Sequence, residues 1–288
     1  GNTMNVNGSR SKNSTFLLDG GFNTTLWRTS DQAAPNPDAT QEIQIITNNF
    51  SAQYGRSSGA VVNVVTRSGT NEFHSGLFEF LRNDKLNARN FFQSTVSPLH
   101  QNQFGGTLGG PVIRNRTFFF GSYETLHVRS SQFVNSALPP TEAERAGNFS
   151  SQPTKNWPND PRTGQPFPNG SIPANRLDPV AQSILEKAIP LPNLPDGRLQ
   201  ALRPLASNQS QATVKVDHML GQSQRLSGTL FYLTNINNQP FDGGVNIPDY
   251  DVFAIHYHQW NAVVNHTWTI SPTLLNEIGF TFTRDYFD

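Results

Sequence analysis

The chain has 288 residues, no cysteine, and 21 basic against 21 acidic side chains, a formal net charge of zero. That excludes disulfide and thiolate chemistry and gives no basic bias towards nucleic acid. No apolar run approaches the roughly 18 residues of a membrane-spanning helix, and the mean hydropathy of −0.49 reads as soluble; that last inference fails for membrane barrels, whose alternating faces cancel in any average.

Residues 1–40 hold few apolar side chains beyond Phe16-Leu17-Leu18, Phe22, Leu26 and Trp27. Asp19-Gly20 signals a turn, and 23–37 reads as a polar loop with a stiff Pro35-Asn36-Pro37 end. Residues 41–47 alternate polar and apolar, as a strand with one buried face does. A small-residue segment around Tyr54-Gly55-Arg56 follows. Ala60-Val61-Val62-Asn63-Val64-Val65 is a dense β-branched strand closed by the turn cluster Ser68-Gly69-Thr70-Asn71.

From Glu72 the pattern becomes long alternating strands, expected over about 72–82, 103–113 and 117–129. They resume at Gln211 with a strand of Ala212, Val214 and Val216, then 225–232, 255–270 and 274–286. One face is apolar with aromatic ends; the other carries Thr, Asn, Gln and charge. At 11–16 residues several exceed the usual globular strand of about 5–6 and fit the 9–11 residues a tilted strand needs in lipid. The connections at 114–116, 221–224 and 271–273 are short. Those at 83–102, 130–209 and 235–254 are long. Thirteen of the twenty prolines lie between Pro139 and Pro204. Two short helices are predicted there. One has a capping box at Thr141 and Glu144; the other starts at Asp178-Pro179 and stops at Pro190.

Catalytic and metal motifs are weak. His256, His258 and His266 lack a cysteine or close carboxylate and fall on the expected lipid face, so no metal site is assigned. No Gly-x-Ser-x-Gly elbow is present, and Gly105-Gly106 and Gly109-Gly110 lack the Lys-Ser/Thr ending of a phosphate loop. No cofactor is expected, and the reading is not an enzyme.

Several motifs in order carry a family resemblance. The spacing Glu42, Thr47, Ala52, Tyr54-Gly55-Arg56, Gly59, Asn63, Thr66, Gly69-Thr70-Asn71 resembles the end of the plug domain of TonB-dependent outer-membrane transporters, in particular the Oar-like branch. So do Val6-Asn7-Gly8-Ser9-Arg10 and Phe16-Leu17-Leu18-Asp19-Gly20. Phe78-Glu79-Phe80-Leu81-Arg82-Asn83, Asn102-Gln103-Phe104-Gly105-Gly106 and Arg116-Thr117-Phe118-Phe119-Phe120-Gly121 resemble its first barrel strands.

The resemblance implies an all-β chain. Residues 1–70 would be the C-terminal part of the plug. Residues 71–288 would hold about seven strands of a 22-stranded antiparallel transmembrane barrel, with 130–209 a long, partly helical extracellular loop. Both ends look like internal cuts, so the sequence is read as a fragment of a longer exported chain. The implied partners are outer-membrane lipid, an unknown extracellular substrate, and the TonB system through a segment ahead of the plug; no nucleic acid is implied. Arg56 is expected to lock the plug to wall carboxylates, with Glu79 and Glu277 facing the lumen as its candidates. Asn23, Trp27 and Arg28 on the plug loop, and Trp157 and Phe167 in the long loop, are the substrate-contact candidates. A non-transporting outer-membrane adhesin or receptor on the same barrel, and a secreted soluble β-sandwich, are the alternatives.

Overall fold

The structure, a computed structural model, describes residues 6, 14–24, 33–47, 54, 59–89, 91, 96–239 and 253–288. Two sheets make up its frame. The small one contains β1 (Thr15–Leu18), β2 (Gly21–Phe22), β3 (Thr40–Ile46) and β4 (Val61–Thr66), in the order β2-β1-β4-β3. The β1–β2 hairpin turns on Asp19 (φ 46°) and Gly20 (φ 79°). Two positive φ angles mark the I′ turn, whose twist matches that of the strands it joins. β1 then runs parallel to β4, as the sequence separation between them allows.

The large sheet holds β5 (His74–Asn83), β6 (Leu99–Ile113), β7 (Thr117–Ala137), β8 (Leu199–Met219), β9 (Gln224–Gln239), β10 (Phe253–Ser271) and β11 (Leu274–Phe287). All seven are antiparallel and ordered as in the chain, and the sheet is open, with β5 and β11 at its edges.

Most strands begin within a few residues of where alternation predicts, but three run further: β7, β8 and β9, the last reaching Gln239, so that part of the expected 235–254 loop is strand. β7 and β8 stay paired out to Ala137 and Leu199. The connection between them is therefore 138–198 and not 130–209. The extra ladder is mixed: Ser130 stands against Leu205 and Gln132 against Arg203, but Phe133 against Leu202 and Val134 against Ala201. Backbone pairing needs no apolar period, so the hydrophobic pattern ended before the strands did.

The faces of this sheet are inverted relative to a soluble sandwich. Side chains pointing at the small sheet are buried and mostly polar: Glu124, Gln211, Thr213, Lys215, Asp217, Gln259 and Asn261, with Phe120, Phe231, Leu233 and Val263 among them. Those on the opposite face are apolar and exposed: Val214, Val216, Leu230, Val264, Phe280 and Phe282. The apolar core is small and sits between the sheets, where Leu18 and Val64 meet Phe231 and Leu233.

Residues 138–198 are folded. α1 (Glu142–Arg145) carries the predicted capping box, with Thr141 and Glu144 bonded reciprocally. α2 (Pro179–Ala188) is capped by Asp178, whose carboxylate accepts from the N–H groups of Val180 and Ala181. Arg145 joins the two helices: Nη1 donates to the Leu185 carbonyl at 2.6 Å and Nη2 to that of Pro190 at 2.7 Å.

Candidate functional site

The β1–β2 turn of the small sheet presses into the inward face of the large one, and Asp19 is at the centre. Its left-handed backbone aims the carboxylate back along β4 and across to the wall. Oδ1 accepts from the Thr66 N–H at 2.8 Å and from Lys215 Nζ at 3.2 Å. Oδ2 accepts from the hydroxyls of Thr66 and Thr229, at 2.5 and 2.7 Å. Lys215 also donates to the Thr66 carbonyl at 3.1 Å. Both ion-pair side chains are nearly sealed, Lys215 at 6% and Asp19 at 7% exposure. A buried charge pair is tolerable only when its remaining donors and acceptors are used, and here four partners from three strands use them. The Asp19 carbonyl accepts from Asn265 Nδ2 at 2.8 Å. Two residues on, Gly21 touches the wall: an added Cβ would meet Val263 Cγ2 at 2.5 Å and Thr281 Oγ1 at 2.6 Å.

Two further groups complete the seam. Gln259 and Asn261 on β10 both donate to Asn23 Oδ1, at 3.2 and 3.0 Å, and Gln259 Oε1 accepts from the Ala33 N–H at 3.0 Å. Across the sheet, Glu124 accepts from Asn36 at 3.1 Å and from Gln211 at 3.0 Å. The 68–71 turn is the covalent link between the sheets. Its Gly69 leaves no room for a Cβ against the Phe119 and Gly110 carbonyls.

Beside Asp19 a cavity of about 740 Å³ opens between the sheets, lined by Tyr54, Lys215, Arg225, Asn265, Thr267 and Glu277 among others. Glu277 thus faces inward, as expected. Glu79 does not. It stands opposite Phe104 in the β5–β6 register and shares the outward face, while Phe78 and Phe80 take the inward one. β5 has apolar residues in both phases, so alternation could not set its facing. Arg56, Trp27 and Arg28 lie outside the described residues.

Asn23 is 2% exposed, with its amide bonded to β10 and to Ala33. Its side chain serves the seam, not an open ligand surface. Trp157 and Phe167 are also committed. Phe167 is 6% exposed beneath the Arg176 guanidinium, 5.3 Å from its ring centre. Trp157 lies on Gly170, whose added Cβ would meet the indole at 2.7 Å, and its Nε1 donates to the Gln152 carbonyl. These rings hold 138–198 together. Arg176 pairs twice with Asp160, at 2.7 and 3.0 Å, and this holds the Asp160 carboxyl down at about 2.

The three histidines do not meet at one point. His258 reaches Asp288 at 3.3 Å and the Tyr232 hydroxyl at 3.2 Å, while His266 bonds Gln224. Sequence reasoning missed Asp19 and Lys215 as partners. They are 196 residues apart, and the only local signal was an Asp-Gly turn.

The family model for the outer membrane beta barrel domain matches residues 65–288. The chain is 33% identical over 129 residues to the TonB-dependent transporter Oar of Myxococcus xanthus, an alignment covering 42% of this chain and 12% of Oar. Its fold matches the siderophore receptor PirA of Acinetobacter baumannii with a TM-score of 0.53 at 13% identity, over 95% of this chain and 32% of PirA. The outer membrane transporter YddB of Escherichia coli gives a TM-score of 0.53 at 10% identity, over 98% of this chain and 33% of YddB. The chain thus spans about a third of those solved proteins.

Proposed function

Because the chain belongs to the outer membrane β-barrel domain family, we propose that it carries the plug-to-barrel junction of a TonB-dependent outer-membrane transporter taking up a scarce substrate. Residues 1–70 act as the end of the plug and 71–288 as the first seven strands of the wall. The supporting observation is the seam itself: a small sheet seated on the polar inward face of a sheet whose outward face is bare and apolar. A soluble sandwich has the reverse arrangement, with apolar residues between its sheets. Asp19–Lys215 is the latch of that seat. Tyr54 lines the same cavity as Glu277, which supports Arg56, two residues on, as a second lock on that carboxylate.

The short turns at 114–116, 220–223 and 272–273 face the periplasm and 138–198 faces outward, as in outer-membrane barrels generally. The folded outer segment contributes to substrate recognition through its exposed surface. The TonB system engages the longer protein through a segment outside these residues and displaces the plug by working against the seam.

The test is uptake by the full-length protein in cells with and without TonB, alongside Asp19→Asn. Uptake that stops without TonB, and passive leak of large antibiotics that rises in the variant, are the expected results. Surface binding of a ligand with no TonB-dependent accumulation would turn the reading into a non-transporting receptor. Recovery of the protein from a soluble fraction would end it.

A further inference from the structure

The outward face of the large sheet changes character at one height. On β7, Phe119 and Tyr123 are followed on the same face by His127 and Arg129, both exposed. His127 stands about ten residues from the turn at 114–116. At about 3.3 Å per residue and a tilt near 40°, ten residues climb roughly 25 Å, the height of a barrel's apolar band. The aromatic girdle marks the same level independently. Tyr232 and Trp260 pack at 4.3 Å, and His258 stacks on Tyr286 at 4.6 Å. Arg284, about ten residues above its own turn, lies over the Tyr286 ring at 5.2 Å.

Just above the girdle, a cationic group is held in place. Asn208 Oδ1 accepts from Arg129 Nη1 at 2.8 Å and sits 2.8 Å from His127 Nδ1. Arg129 Nη1 also donates to the Val128 carbonyl at 2.9 Å. His100 stands opposite Arg129 in the register. The His127 ring rests 6.2 Å from Phe104, the last large apolar side chain below it on β6. Asp84 meets His100 at 3.5 Å; among the described residues no carboxylate pairs with Arg129. A fixed guanidinium beside the His127 imidazole, facing away from the lumen at the headgroup level, suits an anion carried by a lipid. A planar guanidinium binds phosphate through two parallel bonds.

We propose that Arg129 and His127, held by Asn208, form a binding site for the phosphate groups of a phosphorylated glycolipid in the outer leaflet. Arg284 on its Tyr286 platform offers a second contact at the same level. The site rests on the sidedness given above. It would fasten the wall to its bilayer at the strands that carry segment 138–198.

The experiment uses full-length protein extracted from outer membranes, passed through detergent exchange and assayed for retained lipid A by mass spectrometry. Reconstitution follows, with bis-phosphorylated or dephosphorylated lipid A as the probe. Arg129→Ala combined with His127→Gln should lower retention about ten-fold, the loss of one to two charge-assisted hydrogen bonds. Dephosphorylated lipid A should not bind, and millimolar inorganic phosphate should not displace the glycolipid. Arg198→Ala, which removes a cation from the outer segment, should change nothing. If the double variant does not fold, as judged by heat-modifiable gel migration, His127→Gln alone should still lower retention about three-fold. Folded variants that retain lipid A like the parent, or equal binding of the dephosphorylated lipid, would overturn the proposal. An epitope tag at Gly164 separates the two failures. Staining of intact cells with unchanged lipid retention sinks this site alone; no staining sinks the sidedness and the site together.

Discussion

The two faces of the large sheet bury opposite chemistries. Inward, Lys215, Glu124, Gln259 and Asn261 are sealed from solvent, and outward Val214, Leu230, Phe280 and Phe282 are bare. They alternate along the same strands, so backbone and propensity are common to both. What differs is the surroundings: the small sheet on one side and lipid on the other. Apolar burial between the sheets centres on the small cluster of Leu18, Val64, Phe231 and Leu233, and polar contacts make up the rest. The seam depends on satisfied polar groups, and a satisfied buried group costs most when it loses a partner.

The largest effect should come from breaking the latch. Lys215→Met leaves the Asp19 carboxylate buried without its cation, at a cost of about 3–5 kcal/mol. Hydrogen exchange in β1, β2 and β4 of the full-length protein should accelerate, while β8–β11 stay protected. The double variant Asp19→Asn with Lys215→Met should recover part of the loss. Equal protection of the small sheet in all three proteins would show that the seat does not depend on the pair.

Much of this comparison was legible in the sequence, within physical limits. Val214, Val216, Leu230 and Val264 announced the lipid face because lipid imposes strict alternation. Glu79 was assigned to the wrong face because Leu77, Phe78, Phe80 and Leu81 are apolar in both phases. The far ends of β7 and β8 were read as loop because Ser130-Ser131 and Pro204 break the hydrophobic period there, and backbone pairing does not need one. Asp19 read only as a turn residue, since its partners Lys215 and Thr229 become neighbours only after the strands pair.

The outward face offers the next largest break. Leu230→Arg or Val264→Arg places a cation in the apolar band, which costs about 2–4 kcal/mol near the midplane and less towards its edges. The matched inward change Thr267→Arg enters a wet cavity and should cost far less. Folded yield by gel migration reads the difference. Equal loss on both faces would mean the outward side does not meet lipid.

Residues 138–198 sharpen the comparison, because that segment holds itself together by local means. Gly170 has φ 65° and lies under the Trp157 ring. Gly170→Ala adds backbone strain of about 1–3 kcal/mol together with a clash against the indole. Protease cutting within 138–198 should rise while the latch and the strand ladder keep their protection. Spread of the damage to β1 or β4 would show that residues 138–198 and the seam fold as one unit.

The smallest effect is a matter of pH. The hydrogen bonds from Arg176 hold the Asp160 carboxyl at about 2, with the Arg162 N–H adding to them, against about 3.9 in an unfolded chain. The folded pKa is the lower one, so the pair's contribution is fully present above about pH 3.9. It is lost as pH falls towards 2. The pair lies near the surface, where solvent screens it, so the change should be local and modest. Pepsin is active across that window. Cutting within 138–198 of the full-length protein should increase from pH 4 to pH 2. Asp160→Asn, which has no carboxylate to protonate, should be cut at an already raised level that depends little on pH. The seam should not respond in the Asp160 variant, since Asp160 touches only its own segment. A parent and a variant with the same pH profile would show that the Asp160–Arg176 pair does not hold residues 138–198 closed.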